Sequence, residues 1–455
     1  MPSNALSRAC LVSVLMMLAA GCGPAAEHAA PASACNSETL TKVLQRATSD
    51  DPKVIVDCNL SLPANSIITK RLIVQGSAGS GVTIDCNGAT IDGSAVPELQ
   101  QANTKTDMIQ INSTITGHYP NLRWSRPADV TVRNCRIIGS VRILGMTDEA
   151  DLKYSSYRPG HPTRMHLIAP TNITLDNLTI TARTRTPVYF GIGVTDSKLI
   201  NSELKGKAVS VAIYLDAESS GNLIKNNNIH TITAPREVLA VDSSDNNTII
   251  DNRFSALNTG GIYLYRNCGQ DGIVRQTTPS YNTIVNNVFY YDKYNPLPFA
   301  ARPSVYMGAR NGNKSYCNDD ASHPIGSGAS NLDYAQHNVV MQNQIYKLPV
   351  SLMIREGKGT DSPNYIEYNT SVTTPVARLA GCYVGSGYAK DFIVHGESIE
   401  MSGRRYTCND GDLHARTGRA SRSGRWSPSP ARRSPPPAAR AQGGWALRRW
   451  CRPGR

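Results

Sequence analysis

NLIKNNNI at residues 222–229 is the first of five closely similar octapeptides, and this repeat decides the fold. The others are NTIIDNRF (247–254), NTIVNNVF (282–289), NVVMQNQI (338–345) and NYIEYNTS (364–371). Apolar and polar residues alternate, and the sixth residue is always Asn: 227, 252, 287, 343 and 369. The steps are 25, 35, 56 and 26 residues. This pattern predicts strands in a solenoid whose coils hold about 25 residues, with loops inserted into the longer ones.

A second strand motif recurs at similar intervals. Its copies are GIGVTD (191–196), AIYLDA (212–217), VLAVDS (238–243), GIYLYR (261–266), SVYMGA (304–309) and SLMIRE (351–356). If coils stack at the inter-strand spacing of about 4.8 Å, the repeated Asn side chains lie above one another and bond along the axis. We therefore interpret the Asn ladder as structural. Asn134 and Asn177 are expected to extend it toward the N-terminus.

GVTIDCNGATIDG at 81–93 resembles the first complete coil of the pectate-lyase-like, right-handed parallel β-helix superfamily. The alternating GIYL and NxIxNN motifs are similar to the carbohydrate-binding and sugar-hydrolase repeats of that superfamily. The resemblance spans roughly residues 45–400. It implies an all-β, single-stranded right-handed parallel β-helix of about a dozen coils over 35–412, capped by a short helix within 37–47. It also implies an exported protein that cleaves, epimerises or binds acidic polysaccharides.

Both ends of the chain differ in composition from this body. Residues 1–21 resemble a bacterial lipoprotein signal, with Cys22 as the lipidated residue, although Leu18 stands one position further from it than usual. Residues 22–34 resemble a tether. Gly23 follows Cys22 in place of Asp, and the resemblance to bacterial lipoproteins then implies the outer membrane, on the periplasmic or cell-surface side. Residues 413–455 read as a disordered Arg/Pro-rich tail. A frameshifted end is the favoured cause, and an RNA- or membrane-binding arm is the alternative.

The net charge of +12 is concentrated in the tail, which contains eleven Arg and no Asp or Glu. Without these charges and that of Arg8, residues 22–412 are neutral. This excludes a basic nucleic-acid-binding body.

Eight cysteines in the body suggest disulfides in an exported domain, and the absence of CxxC pairs argues against zinc. Pairing neighbours in chain order is the simplest interpretation: Cys35–Cys58, Cys86–Cys135, Cys268–Cys317 and Cys382–Cys408. Asp319–Asp320 is the one place where Ca²⁺ is considered, and we otherwise expect no cofactor.

Strand alternation predicts a stripe of Tyr, Asp and Arg on one outer face. Its outward side chains are Tyr214 and Asp216, Ala240 and Asp242, Tyr263 and Tyr265, Tyr306 and Gly308, and Met353 and Arg355. Arg266, Arg310 and Glu356 lie at its edge. The insertions 266–281 and 308–337 would wall this stripe, joined by Cys268–Cys317. The loop 146–166, which contains Arg158 and His161, would close one end.

This stripe is suited to an acidic glycan, because Tyr rings stack on sugars and Arg binds carboxylates. A lyase would neutralise a uronate with Arg266, Arg310 or Arg355 and move protons through Tyr263, Tyr265 or His161. Tyr214, Tyr306, Arg158, His161 and Glu356 would bind substrate. A glycoside hydrolase would instead use Asp216 and Asp242 as paired carboxylates.

We favour a lyase that cleaves an acidic polysaccharide by β-elimination, acting as a monomer. The alternatives are the hydrolase, a non-catalytic glycan-binding or adhesion protein, and a periplasmic accessory protein in metal-enzyme maturation. The motifs of polygalacturonases, alginate epimerases and pectate lyases are missing from the sequence, so the resemblance favours the fold more strongly than any one reaction.

Overall fold

The structure is a computed structural model. It describes residues 29–94, 107–183, 185–233, 236–255, 257, 259–267, 269–291, 302–308, 335–357 and 364–373. It also describes the backbone of five strands between 381 and 415.

Short strands make up most of the described chain. In chain order they are β1 (Lys53–Ile55), β2 (Leu60–Ser61), β3 (Ile67–Ile68), β4 (Arg71–Gln75), β5 (Thr83–Asp85), β6 (Thr90–Asp92), β7 (Asp107–Asn112), β8 (Thr114–Thr116), β9 (Arg123–Ser125), β10 (Thr131–Arg133), β11 (Arg136–Ile138), β12 (Ser140–Leu144), β13 (Thr174–Asp176), β14 (Thr179–Ala182), β15 (Val188–Phe190), β16 (Lys198–Ile200), β17 (Glu203–Ala208), β18 (Ile213–Leu215), β19 (Leu223–Lys225), β20 (Asn228–Ile229), β21 (Ile232–Thr233), β22 (Leu239–Asp242), β23 (Thr248–Ile250), β24 (Arg253–Phe254), β25 (Ile262–Tyr265), β26 (Thr283–Val285), β27 (Val288–Phe289), β28 (Val305–Met307), β29 (Val339–Met341), β30 (Gln344–Tyr346), β31 (Ile354–Glu356), β32 (Tyr365–Glu367), β33 (Thr370–Val372), β34 (Gly381–Val384), β35 (Asp391–Val394), β36 (Ser398–Met401), β37 (Arg404–Asn409) and β38 (Asp412–Ala415).

Three long parallel sheets wind around one axis. Sheet A has the order β1-β4-β7-β12-β15-β18-β22-β25-β28-β31, and sheet B has the order β2-β5-β10-β13-β16-β19-β23-β26-β29-β32. Sheet C has the order β3-β6-β11-β14-β17-β20-β24-β27-β30-β33, with β21 also pairing β17. Each coil contributes one strand to each sheet in turn, which is the predicted parallel β-helix. The strands from β34 onward pair antiparallel, as do β8 and β9.

The core consists of apolar side chains stacked in register from coil to coil. In sheet B the stack runs without interruption through Ile84, Val132, Leu175, Leu199, Ile224, Ile249, Ile284 and Val340. All of these side chains are fully buried. In sheet C the Phe254 and Phe289 rings stack with centroids 5.1 Å apart. Burying one such side chain stabilises the fold by roughly 1.5–3 kcal/mol, and every coil adds several.

The predicted Asn ladder is present at the turn between sheets B and C. Each amide oxygen accepts both the backbone N–H and the side-chain Nδ2 of the preceding Asn, from Asn227 to Asn369. A second ladder was not predicted. It joins the first residue of each octapeptide, namely Asn222, Asn247, Asn282, Asn338 and Asn364.

The placement of Asn134 and Asn177 in the buried ladder is wrong. Both have positive φ angles, 57° and 52°, and occupy the turn position just before that ladder. There Asn177 donates to Asn134, and Asn134 donates to Asp85. Asn tolerates left-handed backbone, so the same residue type serves two neighbouring positions for different reasons.

Two copies of the second strand motif are misaligned. For the copy GIGVTD, the strand is β15, which lies just before the motif, and GIGVTD itself forms the turn after that strand. Gly193 has a φ of 78°, and a Cβ there would lie 2.5 Å from the backbone of Met165. In SLMIRE, a helical turn occupies the first residues, so Arg355 pairs with Tyr306 and Met353 is buried.

Four α-helices lie within the described residues: α1 (Ser37–Leu44), α2 (Glu149–Ser156), α3 (His161–Ile168) and α4 (Val350–Met353). The predicted N-terminal helix is α1; its N-cap Asn36 accepts from the N–H of Thr39, and Val43 joins the core. None of these helices has the length and apolar character needed to cross a membrane.

Two of the predicted disulfides are formed, Cys35–Cys58 and Cys86–Cys135. Cys268 and Cys317, and the side chains of Cys382 and Cys408, lie outside the described residues, so those pairings remain predictions.

Replacing Asn252 by Ala should reduce the free energy of unfolding by about 2–4 kcal/mol, because two buried donors of Asn227 lose an acceptor. Urea unfolding measures this. Asn228→Ala, at an exposed strand position one residue from Asn227, is the control and should change stability by less than about 0.5 kcal/mol. Equal effects of the two substitutions would contradict a structural role for the ladder.

Candidate functional site

One row of side chains runs along the outer face of sheet A and is called the central row here. Strand register places its members side by side: Arg142, Tyr189, Tyr214, Ala240, Tyr263, Tyr306 and Arg355. The predicted alignment of Tyr214, Ala240, Tyr263 and Tyr306 is confirmed. Arg355 belongs to this row, two residues away from its predicted register. Arg142 and Tyr189 were not predicted.

Asp216 and Asp242 lie on successive coils, as predicted, but both are largely covered. Asp216 is 6% exposed and Asp242 is fully buried. Tyr189 donates its hydroxyl to Asp216, and Tyr214 donates to Asp242 at 2.5 Å. Burial and the adjacent carboxylates raise the pKa of both tyrosines well above 10, so both phenols remain protonated.

Arg275 supplies the countercharge for both carboxylates. Its Nη1 lies 2.8 Å from Asp216 Oδ1 and 3.3 Å from Asp242 Oδ2. Arg275 is itself buried and comes from the insertion after β25. That insertion was predicted to wall the stripe, but its Arg275 was not predicted as a site residue. No local pattern indicates a contact that reaches back 59 positions to Asp216.

A cleft of about 560 Å³ opens beside these residues. From sheet A, its lining comes from β7, β12, β15, β18 and the residues next to them, including Asp107, Arg142, Tyr189, Tyr214 and Asp216. The other side is lined by Glu149 and Leu152 of α2 and by Gln270, Asp271, Ile273 and Arg275. The cleft therefore lies mostly on the N-terminal side of the predicted stripe and includes only its first two residues, Tyr214 and Asp216.

The two ends of the cleft have opposite charge. At one end, Arg142 and Arg185 lie 4.0 and 3.5 Å from a single carboxylate, Asp107, so these three residues together carry one net positive charge. These two side chains are 16% and 35% exposed. At the other end, Asp216 and Asp242 share Arg275, so one negative charge is in excess. The Arg142 guanidinium lies 4.0 Å from the centre of the Tyr189 ring and links the two ends.

Two insertions pack together to wall the cleft. Gln276 donates its side-chain amide to the carbonyls of Ser156 and Arg158, and Ser156 accepts from the N–H of Val274. The loop 146–166 was therefore predicted on the correct face, although most of it is helical. Asp148 caps α2 by accepting from the N–H of Asp151.

Beneath these insertions, Glu218 is a fully buried anchor. Its carboxylate accepts from the N–H groups of Gln276 and Thr277, at 2.6 and 3.0 Å, and from the Thr277 hydroxyl. Burial raises the pKa of Glu218 to about 7, although these donors lower it. His161 lies 4.0 Å away and is 1% exposed, and burial together with Arg164 and Arg275 lowers its pKa to about 3.

Other predicted site residues lie apart from the cleft or are enclosed. Arg158 covers the Tyr154 ring at 3.3 Å and donates to the Tyr154 carbonyl. Arg266 is 1% exposed, and Glu356 accepts from the Asn364 side chain. The partly exposed Tyr263 and Tyr306 have ring centroids 5.4 Å apart, and Arg355 adjoins them. Cys22, Arg310 and Asp319–Asp320 lie outside the described residues.

His118, Asp148 and Asp151 bring potential metal-ligand atoms within 4.8 Å of one another. Each carboxylate already has a structural partner. Asp148 caps α2, and Asp151 accepts from the N–H of Tyr119 and contacts His118. These contacts account for the group without an ion.

Comparison with known proteins identifies the fold. The family model described as "Right handed beta helix region" matches residues 131–318. The chain is a right-handed parallel β-helix. A search of curated protein sequences finds no significant match.

Solved β-helix structures resemble the chain only distantly. Alginate lyase from Paenibacillus sp. is 11% identical over 69% of this chain and 88% of its own, with a TM-score of 0.29. The A-module of a mannuronan C-5 epimerase from Azotobacter vinelandii is 12% identical over 70% and 81%, with a TM-score of 0.33. Endo-xylogalacturonan hydrolase from Aspergillus tubingensis is 10% identical over 69% and 84%, with a TM-score of 0.36.

The buried His161 should contribute a loss of stability as the pH falls, opposite in sign to the contribution of Glu218, whose folded pKa of about 7 lies above its ordinary value. The folded pKa of His161, about 3, lies below its ordinary value near 6.5, so its contribution to stability is present above pH 6.5 and is lost as the pH falls toward 3. One pKa unit corresponds to about 1.4 kcal/mol. Between pH 7 and pH 4, the wild-type protein should therefore lose about 3 kcal/mol more free energy of unfolding than His161→Asn.

Chemical unfolding of both proteins at the two pH values measures this difference. His230→Asn is the control, because His230 pairs with Glu203 at a partly exposed position of sheet C. Parallel pH profiles for wild type and His161→Asn would contradict the lowered pKa of His161 in the folded protein.

Proposed function

We propose that this protein is an exported enzyme that binds an acidic polysaccharide in the sheet A cleft and cleaves it by β-elimination. The observation that carries the proposal is the opposite charge at the two ends of the cleft. Arg142 and Arg185 together with Asp107 carry one net positive charge, whereas the group formed by Asp216, Asp242 and Arg275 is negative, and Glu149 and Asp271 lie on the opposite wall. A uronate carboxylate is therefore attracted to one end only, and this fixes the orientation of the sugar.

The same arrangement provides the groups that β-elimination requires. Arginine at the carboxylate stabilises the negative charge that develops when the C5 proton leaves. Tyr189 lies directly beside Arg142 and donates to Asp216, so it can accept the C5 proton while its own proton passes to the carboxylate. The C4–O bond then breaks, a C4=C5 double bond forms, and the leaving oxygen takes up a proton from solvent.

The paired-carboxylate hydrolase has weaker support. Asp242 is fully buried and accepts hydrogen bonds from Tyr214 and Asn267, so it has no route to a glycosidic bond. Hydrolysis requires two carboxyl groups that both reach the sugar. Tyr189 and Tyr214, whose ring centroids are 5.7 Å apart, are better placed to contact a sugar.

The proposal includes export to an oxidising compartment. It also includes anchoring to a membrane through a lipid on Cys22. Cys35–Cys58 and Cys86–Cys135 support export, because such bonds persist outside the reducing cytosol. An extracytoplasmic location would also give the cleft access to a polymer that does not enter the cell.

Tyr189→Phe should reduce kcat on the preferred uronate polymer about 10²-fold or more, because the proton relay is lost. Arg142→Ala should reduce kcat/KM by about 10²–10³-fold, because the carboxylate loses its stabilising charge. The measurement is ultraviolet absorbance of the new C4=C5 double bond during incubation with polygalacturonate, polymannuronate, polyguluronate and hyaluronan.

Arg136→Ala is the matched control, because Arg136 is an exposed residue of sheet C, and it should retain full activity. New reducing ends without the absorbance change would show that the glycan is cleaved by hydrolysis and would overturn β-elimination. Glycan binding with neither signal would establish the binding-protein alternative and overturn the enzyme.

A further inference from the structure

The central row is interrupted at its middle by Tyr265. Strand register places Tyr265 opposite Asp242, yet its hydroxyl donates to Glu237 Oε1 at 2.7 Å, five positions before Asp242. The side chain therefore runs back across the outer face of β22. Tyr265 is 2% exposed and forms an apolar cluster with Val211 and Ala240.

Ala240 provides the space for this arrangement. The other members of the central row have large side chains, whereas Ala240 ends at its Cβ and is fully buried. Tyr214 and Tyr263, its two neighbours in the row, pack against the same cluster. A large residue at position 240 would occupy the volume that the Tyr265 ring takes.

Tyr265 is held by charge-assisted hydrogen bonds. Its hydroxyl also accepts from Arg236 Nη2 at 2.6 Å, and Arg236 binds the Glu237 carboxylate through Nη2 at 2.7 Å and Nε at 3.2 Å. Hydrogen bonds that involve ionised groups are about twice as strong as neutral ones. Moving the ring aside would break these contacts and expose a buried aromatic surface.

The cleft ends at β18, the strand next to the outer face of β22 that the Tyr265 side chain covers. Among the described residues, its sheet A lining comes from the region of β7, β12, β15 and β18, and none comes from β22, β25, β28 or β31. Four successive strands span about 14 Å along the axis, since neighbouring strands are about 4.8 Å apart. On the C-terminal side of β22, the central row continues with Tyr263, Tyr306 and Arg355, and these three residues do not line the cleft.

We infer that the cleft accepts the end of an acidic glycan chain and that Tyr265 is the specificity-determining residue that excludes the middle of a chain. This inference rests on the proposed function and deepens it. A polymer lying along sheet A has to pass over β22, where Tyr265 occupies the outer face. The end of a chain avoids this obstacle, because it can stop beside Tyr214.

The wild-type protein tests this without any substitution. Acting on a long uronate polymer, it should release short unsaturated oligosaccharides from the outset while solution viscosity falls slowly. Size-exclusion chromatography of early time points and capillary viscometry provide the two readouts. An early ladder of intermediate lengths with a rapid fall in viscosity would overturn the inference and leave the proposed lyase intact.

Binding stoichiometry provides a readout that is independent of cleavage. Calorimetric titration of Tyr189→Phe with a short and a long oligogalacturonate should give the same number of protein molecules per glycan chain, because each chain has one matching end. Stoichiometry that rises with chain length would overturn the inference. Absence of both binding and cleavage with every polymer of the panel would overturn it together with the proposed function.

Tyr265→Ala should join the cleft to the surface formed by Tyr263, Tyr306 and Arg355, and should shift the early products at least severalfold toward longer chains. Ala240→Leu displaces the same ring without opening a large cavity and should act in the same direction. Tyr368→Ala, at a position that is 60% exposed, is the control. Unchanged product lengths in folded Tyr265→Ala and Ala240→Leu would overturn the role of Tyr265.

Discussion

The fold depends on how each coil satisfies the backbone N–H groups at its corners. Where a strand of sheet B turns into sheet C, the N–H of Asn227 points into the protein, and the side-chain oxygen of Asn252 in the next coil accepts it. Leaving such a donor buried without an acceptor would cost about 1–3 kcal/mol per coil. Because each Asn also bonds to the next one along the axis, the ladder keeps the coils in register.

That register has a direct consequence for the outer surface. Once the ladders and the apolar stacks hold neighbouring strands about 4.8 Å apart, outward side chains of sheet A must form rows. Functional groups from remote parts of the sequence, such as Arg142 and Tyr214, then lie two coils apart on one face. Loops can be long or short without disturbing this alignment, which explains octapeptide steps that range from 25 to 56 residues.

The sequence predicts what is periodic and fails where contacts are not local. Alternation was sufficient to place Tyr214, Tyr263 and Tyr306 in one row and to predict the first Asn ladder. The sequence does not indicate Tyr189, because its strand is only three residues long and is followed by a turn, GIGVTD, that resembles a strand. Burial of Asp242 was missed for another reason: it depends on Arg275 and Asn267, which the insertion after β25 folds over it.

The same insertion makes the cleft and its wall a single structural unit. Two buried carboxylates one coil apart would repel each other and pay a large desolvation penalty, so Asp216 and Asp242 require the guanidinium of Arg275 beneath the same cover. Arg275 is in turn positioned by the adjacent N–H groups of Gln276 and Thr277, which bind Glu218. The charge pattern proposed to orient a uronate therefore exists only when the insertion is docked. Docking also requires α2, because Gln276 binds Ser156 across 120 positions of the chain.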